Sequence, residues 1–134
     1  MRLDDLRNRP LRAAYYARFG VSDVRQVTSY DLAMMSFRDM AKHCGWTVAG
    51  FFCDHGGDNG GRDLLLKACS EGGIDLVVAR SITRFERDPQ KLISLVDALH
   101  RNHVGIYFED VDIYTLDDGQ ALNDIIRLME HEWI

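Results

Sequence analysis

The sequence predicts a single α/β domain with a mainly parallel sheet of four to five strands, flanked by helices. Short apolar runs alternate with longer segments of helical periodicity along the chain. The run Ile74–Ala79 is apolar except for Asp75, which is typical of a parallel strand covered on both faces. The length of 134 residues and the hydrophobic content of 46% fit one domain with a packed core.

Strands and helices are expected in regular alternation. Apolar runs predict strands at Ala13–Ala17, Val48–Phe52, Ile74–Ala79 and Val104–Phe108. Apolar residues at spacings of three and four predict helices over Ser29–Cys44, over Asp63–Ser70, from Asp88-Pro89, and from Asp117 or Asp118. Ser29 and Asp88 are the expected N-caps of their helices. This alternation predicts right-handed crossovers between parallel strands.

The composition limits the classes of function. The formal net charge of −5 argues against strong DNA binding by this domain alone, because non-specific affinity comes from cations that neutralise phosphates. The three cysteines lack metal-ligand spacing, so we expect reduced thiols and no zinc site. No apolar run is long enough to span a membrane, and no signal-peptide pattern is present. We therefore expect a cytoplasmic protein that uses no cofactor and no metal.

Candidate site residues fall where the strands end. Functional groups of a parallel sheet gather at the carboxyl ends of its strands, where three loops follow, at Arg18–Thr28, Asp54–Arg62 and Arg80–Arg87. The first strand brings Tyr16 and Arg18 to this edge, and the third loop adds Arg84 and Arg87. Three converging guanidinium groups suit a phosphate, since each donates two parallel hydrogen bonds to its oxygens. The alternative is that these arginines are solvated loop residues.

Several sequence motifs follow one another in a characteristic order over nearly the whole chain. The segment Tyr16–Gly20 corresponds to a Tyr-x-Arg-x-Ser motif, and Ser81–Arg87 to a Ser-x-(Ser/Asp)-Arg-(Phe/Leu)-x-Arg motif. Both are motifs of the serine site-specific recombinases, the resolvase/invertase family, whose N-terminal catalytic domain this chain resembles. The segments Gly105–Glu109 and Ile113–Asp117 are most similar to the transposon-type large serine recombinases.

The resemblance implies a resolvase-like fold that acts in DNA site-specific recombination and integration. In that family a serine attacks a DNA phosphate and forms a phosphoserine link, while arginines hold the phosphate and no metal is needed. The domains pair through the long last helix, here expected over residues 118–134, as a homodimer or hetero-oligomer. By this resemblance, residues 1–134 form the catalytic domain, with residues 1–10 as an N-terminal extension and no C-terminal DNA-recognition domain.

Four positions depart from the family's pattern. Gly20 stands where the family has its nucleophilic serine, and glycine has no side-chain atom that could attack phosphorus. Ala33 aligns with a glutamine of the first helix. Asp58 enters a loop that usually reads Gly-x-Ser-Gly, and we expect its carboxylate to repel a phosphate. Trp133 replaces an arginine near the end of the chain.

Three hypotheses remain open. The first is a degenerate recombinase-like domain from a mobile element, a pseudoenzyme that keeps the fold and has lost strand cleavage. In the second, an active recombinase fragment uses Ser22, two residues beyond Gly20, as a substitute nucleophile. In the third, the chain is a non-catalytic phosphate-binding or oligomerisation module. The predicted catalytic positions are Tyr16, Arg18, Gly20, Arg84 and Arg87, and the predicted phosphate ligands are Arg18, Arg84 and Arg87.

Overall fold

The computed structural model describes residues 3–20, 24–116 and 120–132. Helices and strands alternate through these residues, as the apolar pattern predicts. In chain order they are α1 (Leu3–Leu6), β1 (Arg12–Phe19), α2 (Val24–Cys44), β2 (Thr47–His55), α3 (Gly60–Ser70), β3 (Leu76–Ala79), α4 (Ile82–Phe85), α5 (Pro89–Arg101), β4 (Gly105–Phe108), β5 (Ile113–Tyr114) and α6 (Ala121–Glu132).

The sheet has five strands in the order β2-β1-β3-β4-β5. Strands β2, β1, β3 and β4 run parallel to one another. The last strand, β5, runs antiparallel to β4, with Tyr114 opposite Tyr107. The predicted single domain with a mainly parallel sheet of four to five strands is therefore confirmed. β5 is too short to produce a recognisable alternation, and the sequence did not predict it as a strand.

Helices cover both faces of the sheet. All four residues of β3 are buried, because Val77 and Ala79 face α3, α5 and α6, whereas Leu76 and Val78 face α2. This two-sided burial explains the continuous apolar run of the strand. The remaining core residues of the first face include Leu65, Leu92, Val96, Ile125 and Met129, and those of the second include Ala33, Phe37, Ala41 and Cys44.

The described part of the N-terminal segment, residues 3–10, packs against the rest of the domain. The side chain of Leu6 is fully buried, and its carbonyl oxygen accepts a hydrogen bond from Trp46 Nε1 at 3.1 Å. The backbone N–H of Asn8 donates to the carbonyl oxygen of Cys44 at 2.8 Å, at the end of α2. These contacts hold the N-terminal segment beneath the C-terminus of α2.

Of the N-caps predicted at Asp88 and Ser29, the structure confirms the first and not the second. Asp88 caps α5, since its Oδ1 accepts a hydrogen bond from the backbone N–H of Gln90 at 2.9 Å, and Pro89 follows as predicted. The prediction for Ser29 is wrong, because α2 begins at Val24 and Ser29 lies inside the helix. An exposed serine is tolerated within a helix, so its presence did not mark the boundary. Asp117 and Asp118, the predicted caps of the last helix, lie outside the described residues.

Candidate active site

The candidate site lies where three neighbouring strands end. β1 has β2 on one side and β3 on the other, so the loops after these strands meet at one edge of the sheet. Arg18 stands opposite Asp54 of β2, and Tyr16 stands opposite Ala79 of β3. The short helix α4, which the sequence analysis treated as loop, places Arg84 at the same edge.

Arg18 joins the three loops through its guanidinium group. Its Nε donates to the carbonyl oxygen of Arg84 at 2.8 Å. Its Nη1 donates to the carbonyl oxygens of Gly56 at 2.9 Å and Asp58 at 2.5 Å, and its Nη2 donates to Asn59 Oδ1 at 2.6 Å. Acceptors of the protein itself therefore occupy most of the donors that the sequence analysis assigned to a phosphate.

Arg84 is more available to a ligand than Arg18. Its Nη1 donates to the carbonyl oxygen of Arg18 at 2.6 Å, and its backbone N–H binds the Oγ of Ser81, which caps α4. Within the described part of the chain, its Nε and Nη2 form no hydrogen bond. Arg87 is exposed, and its guanidinium likewise has no acceptor among the described residues.

Two clefts open on either side of the Arg18–Arg84 contact. The α2 cleft has a volume of about 490 Å³, and the residues that line this cleft and not the other are Tyr15, Tyr16, Ala17, Ser29, Ala33, Arg80 and Ser81. The α5 cleft has a volume of about 570 Å³ and is lined on its own side by Gly56, Gly57, Asn59, Arg62, Thr83, Glu86, Arg87 and Lys91. Both clefts share Arg18, Phe19, Gly20, Arg84 and Phe85.

Gly20 lies between the two clefts, next to both arginines of the shared wall. Among the described residues other than its chain neighbour, no group lies within 4 Å of a Cβ built on Gly20, so these residues leave room for a side chain. Its φ is outside the left-handed region that favours glycine. Among the described residues, neither packing nor backbone conformation therefore requires glycine here.

Tyr16 is part of the core and not a freely accessible group at the rim. Its ring is 1% exposed, and its hydroxyl donates to Asp54 Oδ2 at 2.6 Å. Burial, followed by this hydrogen bond, raises the pKa of Tyr16 above its ordinary value. The Asp54 carboxylate also accepts the backbone N–H groups of Gly61 at 2.6 Å and Arg62 at 2.9 Å, at the start of α3. Tyr16 thus acts here by anchoring Asp54, which fixes the start of α3.

Gly61 allows the close approach between α3 and β2. A Cβ at this residue would lie 2.0 Å from the carbonyl oxygen of Cys53, which is far inside van der Waals contact. Any other residue would push the start of α3 away from the end of β2. The glycine-rich segment therefore has a packing role at Gly61, in addition to forming the loop that binds Arg18.

Arg62 is a site residue that the sequence analysis missed, since it treated this residue only as the end of a loop. It is nine-tenths buried, and its Nη1 donates to the carbonyl oxygen of Phe85 and to Glu86 Oε1, both at 2.8 Å. Its Nε is buried without a hydrogen-bond partner among the described residues. The signal available in the sequence was an arginine in the first turn of a helix that follows a glycine-rich loop.

The other predicted positions are distributed unevenly around the site. Arg18, Gly20, Arg84 and Arg87 share the α5 cleft, whereas Ala33 lines only the α2 cleft. The Asp58 carboxylate is not among the described lining residues of either cleft, and its Oδ1 accepts the backbone N–H of Gly60 at 3.1 Å, at the start of α3. The expected repulsion of a phosphate by this carboxylate stays a prediction. Ser22 and Trp133 lie outside the described residues.

The described residues contain no cluster of three or more His, Cys, Asp or Glu side chains that could hold a metal ion. Among the helices in the described ranges, none is long and apolar enough to cross a membrane.

Structures with the same fold come from several recombinases. The chain superposes on the N-terminal catalytic domain of TP901-1 integrase with a TM-score of 0.68 and 16% identity, over 90% of this chain and 92% of that one. A resolvase family site-specific recombinase from Streptococcus pneumoniae gives 0.66 and 16%, over 90% and 88%. The C-terminal catalytic domain of ISC1926 TnpA, an IS607-like serine recombinase, gives 0.63 and 17%, over 91% and 80%.

Sequence comparison gives the family directly. No curated protein sequence gave a significant match. The family model "Resolvase, N terminal domain" matches residues 13–132, which include β1 from its second residue, strands β2 to β5 and helices α2 to α6. Because this match covers most of the chain and agrees with the fold, the protein belongs to the family of resolvase N-terminal domains, the catalytic domains of serine site-specific recombinases.

Proposed function

We propose that this chain is a recombinase domain that binds a DNA phosphate in the α5 cleft but does not cleave the strand. The observation that carries the proposal is Gly20, which leaves the nucleophile position without a hydroxyl group beside intact arginines. A phosphoserine link requires a side-chain oxygen that attacks phosphorus. Binding and cleavage are therefore separated in this protein.

The charges of the α5 cleft support phosphate binding. Its lining includes the cations Arg18, Arg62, Arg84, Arg87 and Lys91, and Glu86 is its acidic residue among those described. Glu86 is paired with Arg62, with side-chain exposures of 12% and 11%. The exposed guanidinium groups of Arg84 and Arg87 are therefore available to donate hydrogen bonds to the oxygens of a phosphate. Arg18 holds in place the wall that the two clefts share.

The role left to such a domain is pairing, with itself or with an active recombinase, through the last helix. We propose a mobile-element origin and a cytoplasmic location, since DNA is the substrate of the family. The net charge of −5 supports only weak binding of DNA by this domain alone. A partner that carries a DNA-recognition region would supply the rest of the affinity.

A second candidate function is strand cleavage through Ser22. The space that the described residues leave beside Gly20 favours it, because a hydroxyl group could be accommodated there. Ser22 lies two residues further along the chain. In this case the protein would be an active recombinase with a displaced nucleophile.

Covalent adducts with DNA separate these two functions. The protein and its variants would each be fused to a sequence-specific DNA-binding domain and incubated with DNA that carries a matching site. The variants are Ser22→Ala, Gly20→Ser, and Gly20→Ser combined with Ala33→Gln. We expect no adduct from the unmodified protein and little from Gly20→Ser, because catalytic groups that act as a unit are not additive. The double variant should give more.

The unmodified protein and Ser22→Ala provide the decisive comparison. An adduct that forms with the unmodified protein and disappears in Ser22→Ala would overturn the proposal and establish the second candidate. An adduct from Gly20→Ser as abundant as that from the double variant would show that Ala33 does not limit the formation of the covalent adduct. Loss of the Gly20→Ser adduct on further substitution of Arg84→Gln would support the assigned phosphate site.

A further inference from the structure

The strand β2 forms one edge of the sheet. It pairs with β1 alone, so the backbone groups that point away from β1 have no strand partner among the described residues. The strand is nine residues long, and it contains no charged residue and no proline from Thr47 to Cys53. A bulge at Ala49 shifts the register with β1, and the pairing is regular from Gly50 onward. A long uncharged edge of this kind is a template for the addition of another strand.

A groove lies beside this edge, between β2 and α2, and we call it the edge groove. It has a volume of about 330 Å³ and is lined by Tyr30, Met34, Phe37 and Arg38 of α2 and by residues 48–51 of β2. Phe37 is buried, whereas Tyr30, Met34 and Phe51 are partly exposed and Val48 is 43% exposed. Apolar surface in the groove is therefore open to a side chain of a partner.

Arg38 supplies the charge of the edge groove among its described lining residues. Its side chain is exposed, and its guanidinium forms no hydrogen bond or ion pair within the described ranges. An unpaired cation beside an apolar groove complements a segment that carries a carboxylate near an apolar side chain. Side chains on the same face of a strand are two residues apart. The complementary segment therefore has its acidic and apolar residues separated by one residue.

We propose that the edge formed by β2 binds an extended segment of a partner protein by β-strand addition. The backbone of the segment pairs with the free side of β2, one apolar side chain enters the edge groove, and a carboxylate two residues away binds Arg38. A second copy of β2 would not supply this carboxylate, because no acidic residue occurs from Thr47 to Cys53.

This surface is separate from the candidate active site. The edge groove shares no described lining residue with the α2 cleft or the α5 cleft. Binding of the segment at β2 therefore does not depend on whether either cleft binds a phosphate, and the proposal stands independently of the proposed function.

Nuclear magnetic resonance titration of the isotope-labelled full chain tests this surface. The probes are two seven-residue threonine peptides, acetylated and amidated, with the central triplet Leu-Thr-Glu or Glu-Thr-Leu, because an added strand can run in either direction. Each peptide has one counterpart with lysine in place of glutamate and another with serine in place of leucine. We expect saturable amide shifts in residues 47–53 with at least one glutamate peptide. Its affinity should be about three- to five-fold higher than that of its lysine counterpart.

Four variants locate the binding surface. Arg38→Glu should reverse the preference in favour of the lysine peptide, whereas Arg101→Glu, which replaces an exposed cation on α5, should keep the preference for glutamate. Val48→Lys places a charge on the edge and should abolish the shifts. Leu64→Lys, which changes a 61% exposed leucine on α3, should leave them unchanged. The spectrum of each free variant checks that it is folded.

Three outcomes would overturn the proposal. The first is the absence of saturable shifts in residues 47–53 with both glutamate peptides, and the second is an Arg38→Glu protein that still prefers glutamate. The third is a set of shifts in the same residues that grows with protein concentration without peptide, since this would identify a second copy as the occupant. Serine counterparts that bind as tightly as the leucine peptides would likewise contradict the assigned role of the edge groove.

Discussion

Arg18 and Arg84 exchange hydrogen bonds between side chain and backbone across the rim of the sheet. The Nε of Arg18 donates to the carbonyl oxygen of Arg84 at 2.8 Å, and Nη1 of Arg84 donates to the carbonyl oxygen of Arg18 at 2.6 Å. Arg18 also binds three acceptors of the loop after β2. This pair therefore fixes the ends of three loops relative to one another and sets where Arg84 can meet a ligand.

Replacing Arg18 should destabilise the protein, although its side chain is polar and partly exposed. Arg18→Met removes the hydrogen bonds to Arg84, Gly56, Asp58 and Asn59. Their acceptor oxygens must then form hydrogen bonds with water instead. We expect a loss of about 2 kcal/mol in the free energy of unfolding, measured by urea denaturation.

Arg87→Met is the matched control for this variant. It removes an exposed guanidinium group of the same cleft that forms no hydrogen bond within the described residues. Its effect on stability should stay within about 0.5 kcal/mol. Equal effects of the two substitutions would mean that the Arg18 contacts do not hold the loops.

The ion pair between Arg62 and Glu86 should be important for stability because both groups are nearly buried. The Nη1–Oε1 distance is 2.8 Å, and the side chains are 11% and 12% exposed. Glu86→Gln leaves the Arg62 guanidinium buried beside a neutral partner. We expect a loss of about 2–3 kcal/mol in unfolding free energy.

The pair Lys67–Glu71 provides the comparison for Glu86→Gln. Its charged atoms are 4.0 Å apart, and its side chains are 72% and 63% exposed. Glu71→Gln should change the unfolding free energy by less than about 0.5 kcal/mol, because exposed pairs contribute little. A Glu86→Gln protein that is as stable as Glu71→Gln would contradict this account of the buried pair.

The pair Arg12–Asp75 should make stability depend on pH in the acid range. Hydrogen bonds from the Arg12 side chain hold the pKa of Asp75 below its ordinary value. A carboxyl group whose folded-state pKa is lowered stabilises the protein above its unfolded pKa of about 4, and this contribution is lost as the pH falls through the folded pKa. Asp75→Asn should therefore be less stable than the unmodified protein at pH 7.

Unfolding curves for both proteins between pH 7 and pH 2 measure this dependence. The stability difference between them should narrow continuously below about pH 4 and be smallest at the acid end. A difference that stays constant over the whole range would show that the charge of Asp75 contributes nothing.

Self-association should depend on the exposed face of α6. Ile125 and Met129 of this helix are buried against the sheet, whereas Leu128 is 39% exposed. An exposed leucine on the helix that pairs in the family marks a candidate interface. Leu128→Arg should lower the fraction of dimer by about ten-fold or more in sedimentation velocity, because it places a charge in an apolar contact.

Leu64→Arg tests whether any exposed leucine would give the same result. Leu64 lies on α3 and is 61% exposed, so it is more accessible than Leu128. We expect this variant to associate like the unmodified protein. A monomer at all concentrations for the unmodified protein would remove the basis for pairing by this domain.

The sequence alone determined the order of the main elements and the family. The apolar run of β3 and the helical spacing of Leu92, Val96 and Leu99 predict this strand and this helix without tertiary information, because burial follows the local pattern of apolar residues. The arginine motifs follow neighbouring strands, so their convergence at one edge followed from the parallel sheet. Boundaries were less well predicted, as Ser29 shows, because a serine inside a helix looks like a serine at its start.

Only the tertiary structure decided which way each functional side chain turned. Arg18 binds acceptors that lie 38 to 66 positions away in the chain, and Tyr16 turns inward to an aspartate 38 positions away. Arg62 became a site residue because Gly61 lets α3 approach β2, and Asp58 turned to the N-terminus of that helix. The partner of a hydrogen bond depends on distances between segments remote in sequence, and no local pattern of residues contains those distances.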